Sequence, residues 1–221
     1  MKKTSNVVAR PRAASSLVIF RKKEKKIEVL MGRRGSKARF KPGVYVFPGG
    51  LLERTDYRIT PRTNMPKKHL TLMGIAGSQS YGNALGMAAI REAYEEVGLK
   101  FGIAKHSEDI NKTNWTTNLM EKNNIRLNEL VFLGRAITPS PQPLRFHARF
   151  FGMPFEKMSG KIQGDGELED LRWVDIKEKN SLHMMQVQHM IIETLERYIR
   201  YNKLAPKKLF FKWNKINIVN C

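Results

Sequence analysis

Cysteine is almost absent from this sequence: the only one is Cys221. No internal disulfide can form, and the composition fits a reducing compartment. Long hydrophobic runs are missing as well. The longest near the N-terminus, Leu17-Val18-Ile19-Phe20, falls far short of the roughly 20 residues that span a bilayer and of a secretory core. No membrane partner is therefore expected. The final Ile218-Val219-Asn220-Cys221 is not an S-K-L address, which leaves the cytoplasm as the expected location. Acidic residues are scarce, 20 Asp and Glu against 40 Lys and Arg, for a formal net charge of +20. The excess fits a polyanionic partner such as RNA or a phosphate-rich substrate. A general drift of composition toward lysine would look the same. The basic clusters, among them Arg21-Lys22-Lys23, Arg33-Arg34, Lys67-Lys68 and Lys207-Lys208, form no regular basic helix and no zinc-finger spacing.

At 221 residues with 41% apolar content, the chain can bury one full core and is short for two domains. The expected layout is a basic tail over 1–13, one domain over 14–204, and a basic, aromatic tail over 205–221. Strands are predicted at Ala14–Phe20 and Ile27–Met31, joined by a charged turn, and at Val44–Phe47, stopped by Pro48-Gly49-Gly50. Further strands are predicted at Glu129–Thr138, Phe146–Phe155 and Leu171–Val174. Pro139, Pro141 and Pro143 form a turn between the first two of these. Met184–Tyr201 carries an apolar stripe at helical spacing. Between Arg54 and Asn83 no period holds, beyond a short helix near Leu70–Met73. Loops of such length in compact domains are usually functional. The mixed order of strands and helices implies an α/β or α+β sandwich.

The chemically informative stretch is a helix ending at Gly98, where a left-handed cap is expected. Glu92, Glu95 and Glu96 lie at i, i+3 and i+4, so they project to one side. Ile90, Ala93 and Val97 are placed to pack on a sheet. Clustered carboxylates repel, and burial sharpens the repulsion and raises their pKa values. A divalent cation removes the difficulty, and Mg²⁺ commonly joins one or two carboxylates to substrate phosphates. An ordinary solvated helix balanced by Arg91 and Lys100 is the plainer alternative. Against it, a run of the form R-E-x-x-E-E-x-G arises by chance in about one chain in several thousand of this size.

Arg91-Glu92-Ala93-Tyr94-Glu95-Glu96-Val97-Gly98-Leu99 resembles the latter half of the Nudix hydrolase signature, G-x5-E-x7-R-E-U-x-E-E-x-G-U, with U a bulky apolar residue. Gly50, five residues and then Asp56 resemble its front half. Two departures stand out: Asp56 replaces a glutamate, and residues 57–90 occupy the seven-residue spacer. The split box is similar to that of a subgroup containing a peroxisomal coenzyme A diphosphatase. So are Arg33-Arg34, Phe40-Lys41-Pro42-Gly43 and Val46-Phe47-Pro48-Gly49-Gly50 before it, and Arg145-Phe146-His147-Ala148-Arg149-Phe150-Phe151 after it.

The resemblance implies a Nudix-type α/β/α sandwich with a mixed central sheet and a long insertion, about 57–83, within the box. It implies a pyrophosphohydrolase using Mg²⁺ or Mn²⁺ on a nucleotide-derived substrate, with coenzyme A or its esters as candidates. An RNA 5′-end (cap- or NAD-type) pyrophosphohydrolase and a low-turnover nucleotide- or RNA-binding protein stay open, as does a homodimer. Glu95 and Glu96 would be the main metal ligands, and Glu92 a further ligand or the base. Arg91 would orient a glutamate. The Gly49-Gly50 turn would admit metal or phosphate. Glu167 and Glu169 would be later acidic residues of the site, and Arg149 a phosphate clamp. The insertion is expected to form a wall or lid over the substrate.

Overall fold

The computed structural model describes residues 9–75, 77–101, 125–140, 142–201, 207–212 and 215–220. Residues 1–8 of the expected tail, Pro141 of the proline turn and Trp213 of the C-terminal stretch lie outside them.

The predicted first hairpin forms with longer arms, β1 over Arg12–Lys23 and β2 over Lys26–Arg34. Lys23 pairs with Lys26 across a two-residue turn, and Glu24 takes a positive φ of 55° there. β1 thus begins inside the segment expected to be a loose tail. Along β1 the side chains alternate between layers, as a pleat requires. Leu17 and Ile19 join the core on one face, while Val18 and Phe20 join the core on the other.

Beyond a short β3 (Tyr45–Val46), Gly49–Leu51 forms β4, which pairs antiparallel with β1. Pro48-Gly49-Gly50 is both the expected strand stop and the start of the next strand. Proline does end β3, and the chain then turns back onto the free edge of β1. β7 (Phe146–Pro154) lies parallel to β1 and antiparallel to β6 (Val131–Ile137). β9 (Leu168–Asp175) pairs antiparallel with β2. The two last strands, β10 (Lys207–Lys212) and β11 (Lys215–Asn220), form a hairpin, and β10 runs parallel to β6. The expected C-terminal tail therefore extends the mixed sheet. A separate two-stranded sheet joins β5 (Lys100–Phe101) to β8 (Met158–Ser159).

Helices cover both faces of the main sheet. The second helix, α2 (Gln79–Val97), packs on the face carrying Leu17, Ile19, Phe151 and Met153. The third, α3 (Gln186–Tyr201), covers the opposite face through Met190, Ile191, Ile192 and Leu195. α2 ends at Gly98, whose φ of 73° supplies the predicted left-handed cap and whose N–H donates to Tyr94 O at 2.9 Å.

The insertion contains the expected short helix, one turn longer at its start, as α1 (Lys67–Met73), and its last residues form the first turn of α2. Ile59, Met65, Leu70 and Met73 are buried in the core beside α2. Its apolar residues are spaced irregularly because they pack from turns rather than along one helical face. Among the described residues, no helix is long and apolar enough to cross a membrane.

Candidate active site

The interrupted signature closes in space. Asp56 sits in a 3₁₀ turn over Thr55–Tyr57 and is buried. It receives Arg91 Nε at 2.9 Å and a second guanidinium nitrogen at 3.2 Å, together with the Glu53 N–H at 2.8 Å. The same guanidinium donates to Glu92 Oε1 at 2.9 Å, Glu95 Oε2 at 2.8 Å and Leu51 O at 2.9 Å. Arg91 thus bridges the strand before the insertion to the helix after it. The fork geometry and permanent charge of arginine suit this role; a lysine ammonium offers one point charge.

Glu96 lies deeper, 3% exposed, and accepts the Gly49 N–H at 2.7 Å. Burial drives its carboxyl up to about 9. The Gly49 hydrogen bond opposes that rise, and Glu92 and Glu167 add to it. Glu92 is pushed up by burial to about 7, with Arg91 pulling it down and Glu95 and Glu167 raising it further. Glu95 is more open and is also raised, first by burial. Gly49 is required by close approach, since a Cβ there would strike Ser15 O and the Ser16 backbone, whereas one on Gly50 would press on the Glu92 carboxylate.

Several of these groups border a cleft of about 950 Å³, with Asp56 and Glu96 buried behind its lining. Gly49, Gly50, Arg91, Glu92, Glu95 and Glu167 line its acidic end, and Arg34 and Lys41 contribute positive charge. The oxygen-only donor set, desolvated and mutually repelling, fits a hard divalent cation. Among the described residues no three His, Cys, Asp or Glu side chains are already gathered into a cage. One or two carboxylates with substrate phosphates and water would complete such a site, and Glu92 and Glu96 are the pair set against the Gly49-Gly50 turn. Glu95, expected as a main ligand, lines the cleft as Glu92 does, and both pair with the same Arg91 nitrogen.

Three further expectations meet the structure differently. Glu167 reaches the cleft, whereas Glu169 pairs with Arg33 at 3.1 Å outside its lining. Arg149 is 2% exposed and lies on the other side of the sheet. Ala148 and Phe150 face the cleft, so pleat alternation turns Arg149 toward α2, where it stacks over Tyr81 at 5.5 Å and donates to His147 O. Among the described residues of the 57–83 insertion none lines the cleft; its apolar residues pack in the core beside α2 rather than standing over it. Sequence reasoning missed Glu53, at the rim beside Glu95, and Arg34, whose Nε is buried without a partner. The turn spacing before Asp56 carried a signal for the first. The second was visible only as part of a basic pair.

A family model described as the NUDIX domain matches residues 9–192. The Caenorhabditis elegans protein named "Putative nudix hydrolase 7" is 25% identical over 178 residues, which cover 76% of this chain and 52% of that protein. The chain thus spans about half the length of the curated relative it matches. Among solved structures, a NUDIX hydrolase from Alicyclobacillus acidocaldarius superposes with a TM-score of 0.68 at 22% identity, over 90% of this chain and 99% of the other. A MutT protein from Methanosarcina mazei superposes with a TM-score of 0.51 at 14% identity, over 87% and 99%. The likeness to these two is one of fold: a mixed sheet between helical layers, as the sequence led one to expect.

Proposed function

The chain belongs to the Nudix domain family, and from that premise we propose that it is a pyrophosphohydrolase cutting the diphosphate linkage of a nucleoside diphosphate derivative. The observation that carries this reading is Glu92 and Glu95 on the lining of an open cleft, with the buried Glu96 behind them on the Gly49 N–H of the Gly49-Gly50 turn. A bound Mg²⁺ or Mn²⁺ would neutralise the diphosphate and acidify a water. Glu96 with either Glu92 or Glu95 would hold it.

The chain's own groups account for the rest. Water oxygen bonds to phosphorus as the bridging P–O bond breaks, and a carboxylate takes the water's proton. Glu92 is the candidate for this task where Glu95 rather than Glu92 joins Glu96 on the cation, since both Glu92 and Glu95 line the cleft. Glu167, exposed on the loop before β9, is the second candidate. Arg91 fixes the direction of Glu92, and Arg34 with Lys41 would meet the phosphates. Coenzyme A and its esters are the finer substrate proposal, supported by the split box and its flanking residues. The +20 charge favours the RNA 5′ end as the second reading.

A hydrolysis screen with Mg²⁺ and Mn²⁺ tests this. The panel holds coenzyme A, ADP-ribose, NADH, dinucleoside polyphosphates, nucleoside triphosphates and capped RNA. Metal-dependent cleavage of a diphosphate compound is expected, and capped RNA cut alone would select the second reading. Silence of the folded protein across the panel would contradict the assignment.

A further inference from the structure

The floor of the cleft, running from β1 beside the Gly49-Gly50 turn, has its own architecture. Ala14, Ala148 and Ala136 stand in register on the adjacent strands β1, β7 and β6. All three line the cleft, so they leave a flat, shallow floor across the sheet. One residue pair to either side along β7, Phe146 and Phe150 rise above that floor. Phe40 meets Phe146 edge-on at 5.1 Å, and Phe47 meets Phe150 likewise at 6.4 Å. The result is a slot of planar shape between two aromatic pairs, set in the same cleft as Glu92.

The first turn of α3 lines the same cleft through Gln186, Val187 and Gln188. Gln188 lines the cleft, is 3% exposed, and its Oε1 is buried with no hydrogen-bond partner. An unpaired buried amide oxygen is costly to keep. A ligand that brings a donor would satisfy it. A glutamine amide offers an acceptor and a donor side by side, which matches the N6 amino group and N7 of adenine and mismatches the two acceptors O6 and N7 on the same edge of a 6-oxopurine.

We propose that the Ala14–Ala148–Ala136 floor and Gln188 form an adenine subsite, making the substrate an adenine nucleotide derivative. This rests on reading the cleft as a nucleotide site. The chemistry at the glutamates is a separate matter, which the test keeps separate.

The experiment is calorimetric titration of the purified full chain with AMP and IMP, neither of which contains a diphosphate linkage. AMP should bind more tightly than IMP by about fivefold to 150-fold, the range of a bidentate amide–adenine contact. In Gln188→Leu the two affinities should converge, and thermal melting should show no loss of stability because an unpaired carbonyl has been removed. Ala148→Leu, which raises the floor and leaves Gln188 in place, should abolish AMP binding. Equal affinities in the wild type, a preference that survives Gln188→Leu, or binding of neither nucleotide at millimolar concentration would each overturn the subsite. An AMP preference in a protein that hydrolyses nothing would keep the subsite and remove the hydrolase.

Discussion

Arg91 is a buried cation facing three carboxylates, Asp56, Glu92 and Glu95. Removing one partner of such a pair leaves a charge in low dielectric with too few contacts, typically at a cost of about 3–5 kcal/mol. Asp56→Ala should therefore lower stability by that order, read as an earlier midpoint in urea. An unchanged midpoint would mean that the pair does not hold the two halves of the box together. The substitution of aspartate for the family's glutamate is legible in this light. The sequence displayed the exchange as a departure; the structure shows that the shorter side chain still reaches Arg91, because a 3₁₀ turn carries it there. Arg149 was misassigned at the same scale. Its neighbours Ala148 and Phe150 already carried the alternation that points it away from the cleft, but nothing in the sequence said which face held the site.

At the scale of elements, α2 was the most readable part, since its apolar spacing and Gly98 cap both follow from helix geometry. β4 was not, because proline and glycine that end one strand also permit the turn into the next. The insertion was the least readable, and its packing yields a pH effect. His69 of α1 is buried, and burial pushes it down to about 4, with Lys68 adding to the fall. The unfolded chain takes up this proton near pH 6.5 and the folded one only near 4. The unfolded state thus binds more protons across that window, so stability falls as pH drops through it. The loss from this group amounts to about 3 kcal/mol at the acid end. His147, pushed down to about 3 by burial and by Arg149 and Arg135, steepens the same slope. His69→Leu should flatten the pH dependence of the melting temperature between pH 6.5 and 4 relative to wild type. A parallel curve would show that the insertion does not bury this histidine in solution.

Across the whole molecule, the sheet divides the labour. The α2 face carries the insertion and most of the core, while the α3 face opens into the cleft, and the glutamates of α2 reach the cleft past β4. The chain as a whole carries +20, whereas Glu53, Glu92, Glu95 and Glu167 line one cleft, so a polyanion drawn by the net charge would meet a locally acidic site. Such a global division could not be read from the chain, because it depends on which strand pairs with which.

Glu96 is where these levels meet: it is buried by the fold, fixed by Gly49 and repelled by its neighbours. The decisive measurement compares wild type with Glu96→Gln on the diphosphate cut fastest in the screen, at saturating Mg²⁺, alongside the melting temperature of each protein without metal. Turnover should fall by about a hundredfold or more, while the metal-free melting temperature holds, because the glutamine oxygen can still accept the Gly49 N–H in a site that disfavours charge. A near-normal rate in the folded variant would contradict the assignment of the site.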